Sequence, residues 1–591
     1  MKKVVFETSF EVCNKVGGIY TVVQSKAQYM KQLSDEYFLI GPYFKEKNQD
    51  EFEELPIPIQ FQKAFGELEK EGIFVHYGKW LIEGEPITLL VEFSQLFHHI
   101  NSFKKELWDA FGVDSYDAPF EFNEPLVFGV AVAKIIQKMV DTEFSQDAII
   151  AHAHEWMCGF SNLYLQLQDT NIKTIFSTHA TTLGRSICSN GVDLYSALEG
   201  INSDEKAKEF GVYQKHTAEK AAAQHSTIFA TVSEITALES EHILGRKPEV
   251  LLLNGLDSRQ FPTYTEIGTI HKSSRERIDE FLKYYFFPYH SFDISKTQVQ
   301  FISGRHEIEN KGIDVTIQTL GKLNQTLKSN PDEERTIVCF IFVPFTQYGI
   351  RKEILEQKVE FRRITRYITQ ISEDMQKQLL HHFLQNKDVH DFTTTVSTEN
   401  INIAKKLTRA FDKKEEQAPI STHYIDEDNI IQKLLTQNGL HNRKEDRVKI
   451  VYYPSYLSSV DTLLDMTYYQ TTTGCDLGLF CSYYEPWGYT PLEGNAVGVP
   501  TVTTDLAGYG KYVQNHPHDG VFVLSRRNTP THELISQYHD TLMHLLSLTR
   551  VEYDKLRMQA KMICENADWQ TFIQNYKIAQ DLALEDSHGK N

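Results

Sequence analysis

The chain has 591 residues and a formal net charge of −20, so its length predicts two or more domains and its acidity argues against a nucleic-acid binder, which needs a basic face. None of its apolar runs approaches the roughly 18 residues that span a bilayer, and the first ten residues turn polar too early for a signal peptide. Its seven cysteines include no CxxC pair, which is typical of free thiols in a reducing compartment, so we expect a cytoplasmic protein without membrane contact.

Short apolar runs of β type alternate with helical patterns, and this alternation predicts parallel sheets. The pattern stops at a helical connection over 262–298 and then restarts. We therefore predict an α/β protein with two doubly wound, Rossmann-like domains, 1–261 and 299–565, which face a cleft. We expect a C-terminal helix over 566–591 to pack back on the first domain. The predicted strands are 4–8, 37–41, 73–78, 87–93, 147–153, 173–180, 227–233, 249–255, 299–304, 336–343, 449–455, 476–482 and 501–505.

Between residues 350 and 445 the strand pattern gives way to long charged helical stretches such as ILEQKVEFRRITRYITQISEDMQKQLLHHFL. These stretches predict a helical insertion in the second domain, in the form of a hairpin. Such a hairpin is a candidate surface for forming a homo-oligomer. A solvated pair of helices is the alternative interpretation.

The first strand is followed by EVCNKVGGIYTVV, in which Lys15 precedes Gly17 and Gly18 at the start of a helix. Glycines at a helix start let backbone amides approach a phosphate, and Lys15 adds positive charge. A loop that merely needs glycine conformations explains the pattern about equally well. The Walker loop and the GxGxxG fingerprint do not occur, which argues against a nucleotide triphosphatase or an ordinary dehydrogenase.

Two further predicted strand ends carry histidines. IIAHAHEWMCG contains His154 and Glu155, and STHATTLGR contains His179 and Arg185. The His-x-His pair at residue 152 invites a metal site, but a further ligand set with recognisable spacing does not follow it. We expect polar groups that face the cleft, with no metal and no cofactor. The alternative for His179, taken by itself, is a loop histidine whose hydrogen bonds are made within the protein and which binds no ligand.

The second domain opens with SGRHEIENKG, in which Arg305 and Lys311 flank a turn that leads into a helix. Two cations at a strand end of an acidic protein are suited to clamping a diphosphate. Surface cations paired with Glu307 and Glu309 are the alternative.

The stretch YYEPWGYTPLEGNAVGVP, residues 483–500, places Glu485 before a rigid turn and Glu493 after it. Thr490 followed by proline predicts a helix that begins there with a threonine cap. The amides from Gly488 to Thr490 would then point into the cleft and receive a phosphate. Glu485 would reach a sugar hydroxyl, and Glu493 would bind ribose hydroxyls. The pattern therefore indicates a sugar-nucleotide site.

The motifs FETSFEVCNKVGGIY, AHAHEWMCG, STHATTLGR, SGRHEIENKG and SYYEPWGYTPLE, in this order, resemble those of the animal and fungal type of glycogen synthase. The resemblance implies a GT-B fold and metal-independent, retaining transfer of glucose from UDP-glucose to the 4-hydroxyl at a glycogen chain end. It implies that Glu485, Arg305, Lys311 and His179 carry the reaction. It implies that Glu155 and His154 serve the acceptor side. The residues implied to bind UDP-glucose are Lys15, Gly18, Arg185, Tyr468, Trp487, Gly488, Tyr489, Thr490 and Glu493.

Some features of this assignment stay open at this point. Lys15 stands where the family more often has arginine, which keeps the charge but loses the fork geometry. Glu485 is attractive as a covalent nucleophile, but we favour a role in binding sugar hydroxyls. A hydrolase or epimerase on the same scaffold, or a glucan-binding protein without catalysis, are the alternative functions.

The resemblance also implies regulation by glucose 6-phosphate, which relatives hold with a run of arginines on a late helix. Here that region reads TRVEYDKLRMQAKMICENADW, and its partner segment TEIGTIH keeps only Glu266 and His271. A dianionic phosphate needs several converging donors. We therefore expect an enzyme that is indifferent to glucose 6-phosphate and that, without a long serine-rich tail after Asn591, is constitutively active. The alternative is that Arg550 and Arg557 suffice.

Overall fold

The computed structural model describes residues 1–48, 50–168, 170–385, 397–413, 415 and 417–585. Its first domain is built on a twisted sheet whose strands in chain order are β1 (Lys3–Thr8), β2 (Glu36–Pro42), β3 (Phe52–Glu54), β4 (Phe74–Trp80), β5 (Ile87–Glu92), β6 (Ala148–His154), β7 (Lys173–Thr178), β8 (Ile228–Thr231) and β9 (Val250–Leu251). Among the described residues, nine strands join in the order β3-β4-β5-β2-β1-β6-β7-β8-β9.

The helices of the first domain connect these strands and cover both faces of the sheet. They are α1 (Gly18–Met30), α2 (Lys45–Asn48), α3 (Ile59–Lys70), α4 (Ile100–Phe111), α5 (Phe120–Met139), α6 (Glu155–Leu167), α7 (Thr182–Ser189), α8 (Leu194–Ala197), α9 (Ser203–Glu209), α10 (Tyr213–His225) and α11 (Glu234–Leu244). Helix α1 illustrates why the helices form at these positions. Its apolar side, which includes Val22, Val23 and Ala27, is buried.

One edge of this sheet differs from the predicted parallel arrangement. Strand β4 pairs with both β3 and β5 in the antiparallel direction, whereas the strands from β5 to β9 pair in parallel. The short β3 was not predicted, because its two glutamates are exposed and leave no apolar pattern. A hairpin at the edge of an otherwise parallel sheet is common in doubly wound folds.

The second domain is an all-parallel sheet with strands β10 (Thr297–Ser303), β11 (Thr336–Phe342), β12 (Val448–Tyr453), β13 (Leu477–Leu479), β14 (Thr501–Thr504) and β15 (Val521–Leu524). The six strands found in the described part of the chain lie in the order β12-β11-β10-β13-β14-β15. From β10 the next strands along the chain are added on one side, as β11 and β12, and the later strands on the other side, beginning with β13. The loops after β10 and β13 therefore lie at the switch point, where ligands bind in such sheets.

The remaining helices connect the domains or flank the second sheet. They are α12 (Tyr264–Phe286), α13 (Ile313–Lys328), α14 (Lys352–Leu384), α15 (Thr398–Phe411), α16 (Ile430–Gln437), α17 (Tyr468–Thr473), α18 (Tyr489–Ala496), α19 (Gly508–Asn515), α20 (Thr531–Ser547), α21 (Arg550–Asn566) and α22 (Trp569–Glu585). Helix α12 lies in the predicted connection and begins with a capping box formed by Thr263 and Glu266.

The predicted insertion contains a helical hairpin, but a shorter one than expected. Helices α14 and α15 pack on each other, and the hydroxyl of Tyr367 on α14 donates to Asn400 on α15 over 3.1 Å. Helix α16 instead packs on α13 and belongs to the body of the second domain. The predicted insertion also covers residues 386–396, which lie outside the described residues, as do 586–591 of the C-terminal segment.

Helix α22 crosses from the second domain back to the first and packs on α1, β7, β8 and β9. The indole N–H of Trp569, at its start, donates to the hydroxyl of Ser25 on α1 over 2.7 Å. A continuous buried cluster therefore runs from Val5 in the first sheet through Trp569 to Phe340 in the second. None of the described helices is long and apolar enough to cross a membrane.

Candidate active site

The loop between β10 and α13 carries the two predicted cations, and the structure separates them. The ammonium of Lys311 is ion-paired with the carboxylate of Glu485, and each side chain is only 16% exposed. Arg305 lies at the rim with a side chain that is 66% exposed, and its Nε lies 3.2 Å from Oε1 of Glu307 in an ion pair. Lys311 therefore points into the cleft, whereas Arg305 makes the surface ion pair that the alternative interpretation proposes.

Gly312 explains why Lys311 reaches Glu485. Its φ of +65° is a left-handed conformation that favours glycine, and a Cβ there would overlap the carbonyl oxygen of Cys481. The two loops can thus approach closely, and the amide of Tyr483 donates to the carbonyl of Asn310 over 2.9 Å. A glycine at residue 312 is required by this close approach.

The turn before α18 differs in detail from the prediction. The helix begins at Tyr489 and its N-cap is Gly488, with a φ of +111°, so Thr490 is not the cap and lies in the first turn. Glycine tolerates this left-handed conformation, so the helix begins earlier than the Thr-Pro signal indicates. The backbone of the turn is fixed to the start of α19, because Gly508 and Tyr509 donate their amides to the carbonyls of Glu485 and Trp487.

Two side chains of this turn do not line an open site. Trp487 is 3% exposed and packs against Tyr512 and Phe572, so its indole is part of the core. The hydroxyl of Tyr489 donates to the carbonyl of Gly255 in the first domain over 3.3 Å. Both aromatic rings therefore hold the turn in place. The backbone of the turn is what it presents to the cleft.

On the first domain, the predicted phosphate loop already holds a carboxylate. Glu11 Oε2 accepts hydrogen bonds from the amides of Gly17 and Tyr20 at the start of α1, over 2.7 and 2.9 Å. Lys15 is exposed beside it, and a Cβ on Gly18 would meet nothing within 4 Å. The helix end is therefore partly neutralised by Glu11, while the space above Gly18 is open.

A cavity of about 320 Å³ joins this loop to the second domain, with Lys15 on one side and Tyr469 and Glu493 on the other. Tyr469 donates its hydroxyl to Glu493 over 2.9 Å, and burial raises the pKa of Glu493 to about 7. Tyr468 points to the end of β10, where its hydroxyl lies 2.8 Å from Ser303 Oγ. These groups form one end of the cleft.

The floor of the cleft is formed by residues at the carboxyl ends of β6 and β7. Glu155 has a φ of +66° at the start of α6, and its carboxylate accepts the amide hydrogen of His179 over 2.8 Å. Burial, and then the neighbouring Glu219 carboxylate, raise the pKa of Glu155 to about 8. Glu155 is thus a neutral, hydrogen-bonding acid near pH 7.

Arg185 on α7 lies where the two domains meet. Desolvation in the cleft alone would lower the pKa of Arg185, but Tyr484 and Glu307 of the second domain and Glu155 of the first hold it above its ordinary value. Helix α7 starts at the side-chain cap Thr181, whose hydroxyl accepts from the amide of Gly184. The cap fixes the direction in which Arg185 projects.

His154 does not reach the acceptor side. It is 1% exposed, its Nδ1 lies 3.0 Å from Nε2 of His179, and its Nε2 lies 2.6 Å from Oε1 of Glu7. Strand β6 is buried on both faces from Ile149 onward, so the alternation of side chains did not reveal which histidine faces the cleft. His179, at 8% exposure, lies nearer the surface of the cleft.

The potential metal ligands in the described part of the chain are Glu7, His152 and His154, whose ligand atoms lie within 4.8 Å of one another. Lys26 already places an ammonium there, since it is ion-paired with Glu7 and lies 3.5 Å from His154 Nε2. Because a positive charge already lies against two of these three residues, they do not fit a divalent cation as they stand.

Three residues of the site were missed in the sequence: Glu7, Glu11 and Lys26. Glu7 lies in the buried strand β1, and Lys26 lies on the buried side of α1. Both side chains are fully buried. Two opposite charges on adjacent apolar surfaces were a usable signal, because such groups are almost never buried unless they are paired. Glu11 carried no such signal, since a loop carboxylate is usually solvated.

The two domains touch across the cleft through side chains of both. Tyr484 donates its hydroxyl to Glu239 over 2.9 Å, and Tyr483 donates to Asp193 over 2.6 Å. A second cavity, of about 620 Å³, lies between the loop at residues 191–196 and the segment 526–531. The cleft is therefore lined by groups from both domains.

Comparison with known proteins gives a consistent result over the whole chain. The family profile described as glycogen synthase matches residues 7–591. Glycogen [starch] synthase isoform 2 of Saccharomyces cerevisiae is 34% identical over 98% of this chain and 86% of its own length. Liver glycogen [starch] synthase of Rattus norvegicus is 34% identical over 98% of this chain and 83% of its own.

Among solved structures, the catalytic domain of starch synthase IV from Arabidopsis thaliana, bound to ADP and acarbose, superposes with a TM-score of 0.52. The match covers 99% of both chains at 12% sequence identity. At this identity the likeness concerns the fold alone, and that fold is the GT-B arrangement of two Rossmann-like domains around a cleft.

Proposed function

Because the chain belongs to the glycogen synthase family, we propose that it transfers glucose from UDP-glucose to the 4-hydroxyl at the non-reducing end of an α-1,4-glucan, with retention of configuration. The observation that carries this proposal is the pairing of Lys311 with Glu485 beside the start of α18. A cation, a carboxylate and the amides at the start of a helix then converge at the switch point of the second sheet.

In the proposed reaction the bond between glucose C1 and the β-phosphate oxygen breaks, and its electron pair leaves with UDP. The charge that develops on the diphosphate is stabilised by Lys311, by the amides at the start of α18 and by Arg305. Arg305 is exposed and, within the described part of the chain, is ion-paired only with Glu307, so little free energy opposes its swing toward the diphosphate. These fixed and mobile donors supply the positive charge without a metal.

The acceptor hydroxyl attacks C1 from the face that UDP leaves. The bond from its oxygen to C1 forms, and its proton passes to the departing phosphate. Glu485 holds hydroxyls of the donor glucose, and its ion pair with Lys311 fixes the position of its carboxylate. His179 and Arg185 hold the glucose and the phosphate from the first domain. Glu155, which is neutral near pH 7, donates a hydrogen bond on the acceptor side.

The nucleotide lies at the end of the cleft that Tyr468 and Glu493 form. We assign the ribose hydroxyls to Glu493 and stacking on uracil to Tyr468. Lys15 approaches the phosphates from the first domain, where the open space above Gly18 admits them. In this arrangement Glu11 shares the helix end with the phosphates, so Lys15 offsets the repulsion between them.

Purified protein in excess EDTA, with UDP-glucose or ADP-glucose and with or without glycogen, tests this function through the nucleotide released. We expect UDP release that depends on glycogen and that EDTA does not reduce. Equal release without glycogen would indicate a hydrolase. Glycogen binding without any release would indicate a glucan-binding protein, and collapse with EDTA followed by recovery with magnesium would overturn the cation assignment.

We also propose a cytoplasmic location and a homo-oligomer formed through the helical hairpin. The seven cysteines are all free and buried, which suits a reducing compartment. The hairpin exposes large apolar side chains, with Val359 at 57%, Ile368 at 55% and Leu380 at 62% on α14. Light scattering should give a mass above that of one chain, and Ile368→Glu should lower it.

A further inference from the structure

A buried polar network lies behind His179 and has no assigned role. At its centre is the carboxylate of Glu7, which is fully buried in β1. Its Oε1 is bound by the ammonium of Lys26 and lies 2.6 Å from His154 Nε2, and its Oε2 accepts from the hydroxyl of Tyr37 over 2.7 Å. Three donors around one buried carboxylate form a satisfied, rigid group.

The network fixes which nitrogen of each histidine carries a proton. An ionised carboxylate only accepts hydrogen bonds, so His154 must donate its Nε2–H to Glu7. A neutral His154 then has a lone pair on Nδ1, and His179 must donate its own Nε2–H to that lone pair over 3.0 Å. The remaining nitrogen of His179, Nδ1, is therefore a bare acceptor.

The charge states that this reasoning needs follow from the surroundings. Burial alone would raise the pKa of Glu7, but the Lys26 ammonium and the hydrogen bond with His154 hold it well below its ordinary value. Burial, and then Lys26, lower the pKa of His154, and burial, and then His154, lower the pKa of His179. Glu7 is therefore ionised, and both histidines are neutral, at physiological pH.

Helix α22 closes the network on its far side. The ring of Tyr576 lies 4.1 Å from Lys26 Nζ, which stabilises the buried ammonium by a cation–π contact. The chain from Glu7 through His154 to His179 is thus enclosed by packed groups, and only its last member lies at the cleft.

We propose that Glu7 is a positioning residue for glucosyl transfer: through His154 it sets the tautomer and the ring orientation of His179, so that Nδ1 accepts a hydrogen bond from a hydroxyl of the donor glucose. This inference rests on the proposed function, in which His179 holds that glucose. The role is analogous to a carboxylate that orients a histidine in a catalytic triad. Here, however, the carboxylate acts through a second imidazole.

Charge-neutral double variants separate this role from simple ion pairing. Glu7→Met with Lys26→Met removes both charges and leaves His154 without an acceptor, and such replacement of a buried pair by apolar groups is often tolerated. Glu7→Gln with Lys26→Met also removes both charges but keeps an amide oxygen that can accept from His154. Tyr37→Phe is the matched control, since it removes a donor from the same carboxylate and leaves the bond with His154.

We expect the Met/Met variant to lose about tenfold to a hundredfold in kcat/KM for UDP-glucose. Its affinity for UDP, measured by calorimetry, should stay within twofold of wild type, because UDP lacks the glucose. The Gln/Met variant should recover at least fivefold over Met/Met, and Tyr37→Phe should stay within twofold of wild type. Wild-type turnover in Met/Met, or no recovery in Gln/Met, would overturn the proposal.

Imidazole ¹⁵N chemical shifts of wild-type protein labelled at histidine test the tautomers without any substitution of Glu7 or Lys26. His179 is identified by the signals lost in His179→Asn, and we expect it to carry its proton on Nε2. A proton on Nδ1 would overturn the proposal even if the double variants did not fold. If wild type transfers no glucose, the proposed function fails, while this spectrum still decides the tautomer.

Discussion

The ammonium of Lys311 binds the carboxylate of Glu485 across two loops that belong to different strands of the same sheet. The two side chains are mostly buried, so loss of either one would leave the other charge buried without this partner. A diphosphate that arrives at Lys311 therefore competes with Glu485. A glucose hydroxyl that arrives at Glu485 supplies the carboxylate with a new partner. Donor binding and release of this ion pair are coupled in our account.

Lys311→Ala should lower kcat for glycogen elongation by a factor of about 100–1000, because one preorganised donor to the departing diphosphate is lost. Glycogen binding should change far less, since Lys311 does not face the glucan. Initial rates and glycogen co-sedimentation measure the two quantities. Lys555→Ala, which alters an exposed lysine on α21, is the control. Near wild-type turnover in Lys311→Ala would remove this residue from the mechanism.

Gly312→Ala should lower both stability and activity, because it combines a left-handed backbone with overlap at Cys481. The left-handed backbone alone costs roughly 1–2 kcal/mol. The overlap of the new Cβ with Cys481 should also displace Lys311 from Glu485. Gly439→Ala is the matched control, since it has a φ of +72° and nothing within 4 Å of its Cβ. Thermal unfolding and initial rates should show the larger loss for Gly312→Ala, and equal losses would contradict the close-approach argument.

Glu239 should make the protein less stable as pH rises. Burial raises its pKa from 4.5 to about 7 in the folded state, so between these values the folded protein binds more protons than the unfolded chain. Stability must therefore fall as pH rises from about 4.5 to 7, by at most about 1.4 kcal/mol per pH unit from this group. In Glu239→Gln, Tm should fall less across this window.

Glu241→Gln is the control for that measurement, because Glu241 is exposed on the same helix α11. It should leave the dependence of Tm on pH unchanged. If Glu239→Gln showed the full wild-type loss of stability between pH 4.5 and 7, the buried carboxyl would not be its source.

Glucose 6-phosphate should not activate the protein. Of the basic residues on α21, Arg557 donates to the carbonyl of Cys475 over 2.9 Å and Lys561 donates to that of Ala496 over 3.1 Å, and both are buried. His271 is likewise bound to the carbonyl of Thr473. These donors hold the fold together and are not free for a phosphate. Initial rates at subsaturating UDP-glucose, with and without millimolar glucose 6-phosphate, should agree, and a several-fold rise would contradict this.

The two-domain architecture was predictable because parallel strands that are buried on both faces appear in the sequence as continuous apolar runs. The edge strand β3 and the four-residue β15 were not predicted. Strand β3 is short and has two exposed glutamates, and β15 is only the short apolar stretch VFVL, whose two middle residues are partly buried. The sequence also did not show that β4 runs antiparallel to β3 and β5 at this edge. The pairing of β4 with β5 depends on where the chain turns, and the apolar residues of the two strands do not record it.

The segments that form the proposed site were easier to predict than the orientation of single side chains. The loops that carry Lys311 and Glu485 and the helix α7 that carries Arg185 lie at the junction of the two domains. Trp487 and His154 lie in the core. For His154 the sequence did not reveal this, because β6 is buried on both faces and gives no alternation to show which side chain is exposed. Glu7 was missed because its partners Lys26 and His154 lie 19 and 147 residues from it along the chain.

The product made from UDP-[1-¹³C]glucose and maltotetraose tests the central claim most directly. We expect ¹³C and ¹H spectra to show label only in a new α-linked anomeric carbon attached to the 4-position of the acceptor, with one UDP released for each glucose transferred. Label in free glucose, in a β-linkage or in an epimerised nucleotide sugar would contradict retaining transfer to a glucan by this site.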